Sequence, residues 1–272
     1  MNLGLFIPEL TLAVTALAII LFDLFVERKG WLVAVSLIGL VVAAGSIVVI
    51  PVSPAQTIFN NMLVVDGFAF FFKLLFLGIA ALVILASTDY VSKFTNFRGE
   101  YYALVILATL GMMLMAATSE LITIYISLEL TSISLYVLAG FLKDSKSTEA
   151  SLKYLLLGAI SSAVLLFGMA LVFGSTGQTQ LGQIAGSVAS LSATGVMANP
   201  ALVLGIVLLV AGFGFKVAAF PFHMWVPDVY EGAPTPVVAF LSVGSKAAGF
   251  ALILRVFSTA FGFTDWLSIN FG

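Results

Sequence analysis

FGFKVAAFPFHMWVPDVYEGAPTP, residues 213–236, is the stretch on which the fold turns. Lys216 sits in an apolar run five residues before Pro221, and the chain's only histidine, His223, follows just after it. A proline inside a helix removes one backbone donor and clashes with the carbonyl a turn earlier, here near Val217. At membrane depth, backbone broken in this way is tolerated only where protein or a water-filled cavity satisfies it. Gly212 and Gly214 soften the same segment. The stretch therefore predicts a membrane helix broken at Pro221, with water beside Lys216. The acidic pair Asp228 and Glu231, with Pro227, Pro234 and Pro236, reads as a stiff turn into the next helix.

The rest of the chain agrees with a membrane reading. Of its 272 residues, 61% are hydrophobic and 9% charged. A soluble domain carries about 25% charged residues. The apolar residues come in blocks of about 20, the length that crosses a bilayer, and are too long and continuous for β-barrel strands. The fold class is therefore all-α, a polytopic transmembrane bundle of about eight spans with a discontinuous helix 7. A net charge of −2 gives no basic footprint, which argues against nucleic acid as a partner. With no cysteine and one histidine, the chain offers no thiolate metal site, iron–sulfur ligation or bis-histidine haem. No cofactor or metal is expected in it. The N-terminus lacks the basic region of a signal peptide, so the first span is expected to stay.

The spans read as Leu3–Val26, Trp31–Ile50, Met62–Ser87, Tyr101–Thr118, Leu121–Leu142, Thr148–Gly174, Ala201–Val226 and Pro236–Phe257. Arg28 and Lys29, Lys93 and Arg98, and Lys143 and Lys146 fall in alternate loops, all on one side. The opposite loops, 51–61 and 175–199, contain no Lys or Arg. The positive-inside rule makes the basic side cytoplasmic and places the N-terminus outside. Arg255, at the outer end of the last span, dissents. In LGQIAGSVASL (181–191), Leu181, Ile184, Ala185, Val188 and Leu191 recur at helical spacing. They read as a short amphipathic helix on the outer interface, or as a plain linker. No internal repeat is visible.

Several charges remain inside the spans. Glu129 in ITIYISLELTSISLYVL and Lys246 in FLSVGSKAAGFALILRVF lie near mid-span, and Lys216 lies in the broken helix. A charge at the bilayer centre costs about 2.5–3.5 kcal/mol on insertion scales and usually marks an ion or proton pathway. Burial disfavours the charged form of a lysine or a glutamate, and a nearby opposite charge favours it. A lysine in a partly hydrated cavity can thus load and release a proton as a carboxylate partner moves, whereas a rigid Glu–Lys pair would only hold helices together. Lys153 is one turn inside its span and either snorkels or joins the path. His223 is a relay candidate, since an imidazole exchanges protons near neutral pH, or a satisfied structural residue. Lys73 after FAFFF reads as pairing with Asp66, two turns back, and Asp23 and Glu9 read as interfacial.

At these residues the sequence resembles a known family. The run PFHMWVPDVYEGAPTPVVAFLSVGSK (221–246) is similar to the corresponding segment of the subunit N family of respiratory complex I, the NADH-quinone oxidoreductase. SELITIYISLELTSISLYVLAGF and STEASLKYLLLGAISSAVLLFGMAL look like the preceding part of that family, and the likeness covers essentially the whole chain. The resemblance implies an antiporter-like subunit built from two inverted five-helix repeats, each with a broken helix. By motif, it assigns Glu129, Lys153, Lys216, His223 and Lys246 to a proton pathway driven by quinone reduction elsewhere in the complex. It places NADH, FMN, iron–sulfur clusters and quinone in other subunits, and names the other membrane-arm subunits and the lipid bilayer of the inner (plasma) membrane as partners.

On that basis residues 1–100 form an N-terminal three-helix segment, 101–257 the first five-helix repeat, and 258–272 a connector towards a second repeat. The second repeat, which the family normally carries, is absent from these 272 residues, and a fragmentary sequence is the expected reason. Two readings compete with the leading one. A cation/proton antiporter subunit, or a membrane subunit of a related hydrogenase or F420H2 dehydrogenase, would share the lysine–glutamate set but differ around PDVYEGAPTP. A non-transporting scaffold would use the charges only to pack helices.

Overall fold

Hydrocarbon offers no water to backbone amides, so each long apolar run closes its hydrogen bonds within a helix. The computed structural model describes residues 3–25, 30–94, 97–192 and 199–262. It begins with a 3₁₀ turn (Leu3–Phe6), α1 (Ile7–Phe25) and α2 (Gly30–Val49). A two-stranded antiparallel hairpin follows, β1 (Gln56–Ile58) and β2 (Leu63–Val65), with Gln56 opposite Val65. Then come α3 (Gly67–Phe94), α4 (Arg98–Ala117), α5 (Leu121–Ala139), α6 (Ser145–Thr176) and the short α7 (Leu181–Ser192). The chain continues through α8 (Pro200–Val217), the seven-residue α9 (Val226–Gly232), α10 (Thr235–Phe240), a π-helical turn (Leu241–Ser245) and α11 (Lys246–Ala260). Among the described residues, eight helical segments are long and apolar enough to cross a membrane, the eighth being Thr235–Ala260. Arg28 and Lys29 lie outside the described residues, as does 263–272 of the connector, and the side chains of Lys93 and Leu191 are likewise not described.

Side-chain caps start four of the described helices, α3 among them, where Asp66 accepts from the Ala69 amide at 2.8 Å. Glu120 accepts from the Thr123 amide at 2.8 Å, Asp144 from Ser147 at 2.7 Å and Asn199 from Leu202 at 3.1 Å. α4 is the most buried span, packed by α1, α3 and α5. α6 and α8 approach closely where two glycines meet. A Cβ on Gly168 would lie 2.9 Å from the Gly205 carbonyl oxygen, and one on Gly205 would lie 3.1 Å from that of Gly168. Small residues at such crossings let backbones touch in a membrane, where no hydrophobic force drives helices together.

Three corrections concern span ends. Residues 63–65 form β2, so the third span begins at Gly67 and not at Met62. The seventh span stops at Val217, well short of Val226. The expected stiff turn into the last span contains a helix of its own, α9. The 181–191 segment is helical, as α7, with Leu181 and Ile184 buried and the helix packed on α11.

Two ion pairs at the hairpin end also differ from expectation. Lys73 pairs with Glu9 at 2.5 Å, not with Asp66, and both partners are nearly inaccessible, so Glu9 is not interfacial. The sequence-local partner loses because Asp66 is taken by Arg255, whose Nη1 and Nη2 donate to its carboxylate at 2.5 and 3.0 Å. Arg255 also donates to the Ala116 carbonyl from Nη2 at 2.8 Å and Nε at 3.2 Å. The dissenting arginine is thus neutralised, and it ties α11 to the end of α4 and the start of α3.

Burial alone would push the Asp66 carboxyl up, but the hydrogen bond from Arg255 and the Ala69 amide hold it below its ordinary value. A lowered carboxylate contributes stability that is present above its unfolded pKa and is lost as pH falls through the folded one. Acidification below about pH 4 is therefore expected to loosen this corner. Asp66→Asn, which leaves the arginine partly unpaired, should cost roughly 2–3 kcal/mol by thermal unfolding in detergent.

Candidate functional site

The site forms where α8 stops. Ala218 adopts the left-handed conformation, φ 58°. Its amide donates to the Phe215 carbonyl at 3.1 Å, and the next amide, Ala219, reaches back to Gly214 at 2.8 Å. This pair of bonds is a Schellman closure, normally built on glycine. It ends the helix at Val217, four residues before Pro221, so the break is not made by proline clashing within a continuing helix. The Phe215 carbonyl gains a further donor, the Trp225 indole, at 3.2 Å. Protein groups thus meet the freed carbonyls of Gly214 and Phe215.

Lys216 lies in the last turn of α8 with 4% of its surface exposed. Its Nζ donates to Ser132 Oγ on α5 at 3.1 Å. One turn back on α5, Glu129 accepts a hydrogen bond from Ser162 of α6. No direct Glu129–Lys216 ion pair forms among the described residues; each charge is hydrogen-bonded to a serine instead. Ser132, Tyr136, Tyr154, Gly158, Ser162 and Lys216 line a cavity with room for about one water molecule. The hydration expected beside Lys216 is thus small.

Above this cavity, towards the basic end, sits an aromatic cluster. Tyr154 stacks on Trp225 at 4.5 Å and meets Tyr136 edge-on at 4.5 Å, while Trp225 packs on Phe215 at 5.5 Å. Beyond the aromatics lies an open basin of charge, lined by Lys146, Glu149, Lys153, Asp228 and Glu231. Lys153 pairs with Glu149 at 2.8 Å and with Asp228 at 3.0 Å, and Lys146 pairs with Glu231 at 2.8 Å. The hydrogen bond from Lys146 holds the Glu231 carboxyl below its ordinary value. These pairs pin α9 onto the start of α6.

Residues 118–271, the part that holds this whole arrangement, match the family described as NADH:quinone oxidoreductase/Mrp antiporter, transmembrane. The chain belongs to that family. It is 51% identical over 98% of its length to NADH-quinone oxidoreductase subunit N of Dehalococcoides mccartyi, and 49% identical over 97% to that of Trichlorobacter lovleyi. It spans about half of those relatives, 55% of each. Among solved structures it superposes on a chain of respiratory complex I from Thermus thermophilus, with TM-score 0.76 and 36% identity, covering 92% of this chain and 53% of that one. A chain of the Mrp complex from Dietzia sp. shares the fold at TM-score 0.75 with 21% identity, covering 99% of this chain and 51% of that one.

The family's motif residues do not all meet here. Glu129 and Lys216 come together across α5, α6 and α8. Lys246 starts α11, and three residues on, a Cβ at Gly249 would lie 3.3 Å from the Lys216 side chain. The absent Cβ at Gly249 lets the two lysine-bearing helices touch. Lys153 stands apart, on the far side of the aromatics. His223 lies in the loop after the break, its ring 5.7 Å from that of Phe220 and its buried Nδ1 without a hydrogen-bond partner among the described residues. Pro221 lines an apolar groove with Phe215 and Trp225.

Sequence reading missed Ser132 and Ser162, the actual hydrogen-bond partners of Lys216 and Glu129. Their only signal was position: Ser132 lies three residues after Glu129, hence on a neighbouring face of the same helix. Ser132→Ala removes the hydrogen-bond partner of a buried ammonium. It should lower stability by about 1–3 kcal/mol, read as a fall in Tm of the detergent-purified protein.

Proposed function

We propose that the chain works as part of a proton-translocating membrane-arm subunit of NADH:quinone oxidoreductase. The observation that carries this reading is the pair of hydroxyl-bonded charges, Glu129–Ser162 and Lys216–Ser132, inside a membrane bundle. Charges locked in one rigid ion pair would favour a scaffold. Here each charge makes its described hydrogen bond to a hydroxyl, a neutral partner that can follow it as its proton comes and goes. The names of relatives at about half identity support subunit N over a cation/proton antiporter or hydrogenase subunit.

In this reading the chain itself performs no redox chemistry. NADH, FMN, iron–sulfur clusters and quinone belong to other subunits, and the chain contributes a proton route to an enzyme complex. Lys153, at the charged basin, receives protons from the basic side. Glu129 and Lys216 exchange them at mid-membrane, Lys246 passes them on, and His223 relays beside the break. Segment 101–257 acts as one five-helix repeat and 1–100 as an accessory three-helix segment, with 258–272 leading on. The basic end faces the cytoplasm of a cell with an inner (plasma) membrane, and the N-terminus faces outside. Other membrane-arm subunits are its partners.

The test uses the full-length protein within its complex. Lys216→Ala and Glu129→Ala should leave assembly intact and cut quinone-linked proton pumping by on the order of a hundredfold, the scale of losing a proton-transferring group. An assembled variant that pumps normally would overturn the route, and one that fails only to assemble would point to a scaffold.

A further inference from the structure

Lys246 lacks a carboxylate partner among the described ion pairs. What faces it is the ring of Tyr230, with the ammonium 5.5 Å from the ring centroid. Tyr230 belongs to α9, between Asp228 and Glu231, whose pairs with Lys153 and Lys146 fix that short helix on α6. Trp225, just ahead of α9, is itself stacked on Tyr154 and bonded to the Phe215 carbonyl. The ring is therefore presented to Lys246 from a base anchored at three points. The Tyr230 hydroxyl is buried with no hydrogen-bond partner among the described residues, so the ring, and not the hydroxyl, makes the contact with Lys246.

We propose that Tyr230 is a positioning residue for Lys246, its ring face holding the ammonium at the start of α11 in place of a counter-ion. This rests on the reading of Lys246 as part of the proton route. An aromatic face attracts a cation through its quadrupole, without supplying a negative charge, and the attraction corresponds to roughly 2- to 30-fold in equilibrium. A carboxylate at the same place would bind the charged form more strongly and retain the proton. A ring fixes where the ammonium sits and still lets it discharge. It also joins the basin to the interior mechanically, because the helix that carries the ring is held by the lysines at the mouth.

The experiment replaces Tyr230 in the whole complex by phenylalanine, and then by phenylalanines bearing one, two and three ring fluorines. Each fluorine drains charge from the ring face and leaves its shape nearly unchanged. Tyr230→Phe should keep pumping per assembled complex within roughly twofold, and the fluorinated series should fall stepwise by roughly 2- to 30-fold in all. Tyr230→Met, which fills the space without a ring, should fall at least as far as the last member. A flat fluorine series, or a Met variant that pumps like Phe, overturns the proposal. Lys246→Ala separates the two layers. If that variant pumps normally, the proton route through Lys246 fails; if it does not pump while the fluorine series is flat, the role of Tyr230 alone fails.

Discussion

The structure depends on how a helix is allowed to stop inside a membrane. Where α8 ends at Val217, its last carbonyls need donors, and lipid has none. The left-handed turn at Ala218 supplies two amides and Trp225 supplies an indole N–H. A left-handed alanine is costly, about 1 kcal/mol or more, and it persists because the surrounding bonds over-determine it. Once the stop is fixed, Lys216 has nowhere to go but against Ser132, and Trp225 must lie over Tyr154. The site's geometry is thus a consequence of backbone satisfaction before it is a matter of charge.

The second theme is separation. At the centre Glu129 and Lys216 each bond a hydroxyl, whereas direct ion pairs occur at both ends, Glu9–Lys73 and Asp66–Arg255 at one and the Lys146–Glu231 and Lys153–Asp228 set at the other. Direct pairs fasten helices: Arg255 joins α11 to α4 and α3, and the basin pairs join α9 to α6. The centre is left free of such fasteners, held instead by glycine-mediated approach at Gly168, Gly205 and Gly249.

The spans were legible because the length of apolar runs is a strong signal and hydrocarbon thickness leaves little choice. The buried lysines and Glu129 were legible for the same reason, since charge is rare there. The break was legible in kind but not in place. Proline is a visible breaker, but an alanine in the left-handed region leaves no mark in the sequence. The partner of Lys73 was misjudged because proximity along one helix was the only guide, while Glu9 and Arg255 arrive from distant helices. Ser132 and Ser162 were passed over because small polar residues are common in membrane helices and nothing local distinguishes those aimed at a charge.

The Asp66–Arg255 pair has a bearing on how the chain is made. Asp66 emerges 189 residues before the arginine that neutralises it. Through that interval its carboxylate must remain in the watery headgroup layer or take up a proton, since lipid supplies no counter-charge and Lys73, two turns on, is paired with Glu9. The first three helices can therefore enter the bilayer, but their outer corner cannot settle to its final depth until the eighth span delivers Arg255. The clasp that finishes the hairpin end closes only after the eighth span is made, and order of birth, as much as final energy, shapes how that end is assembled.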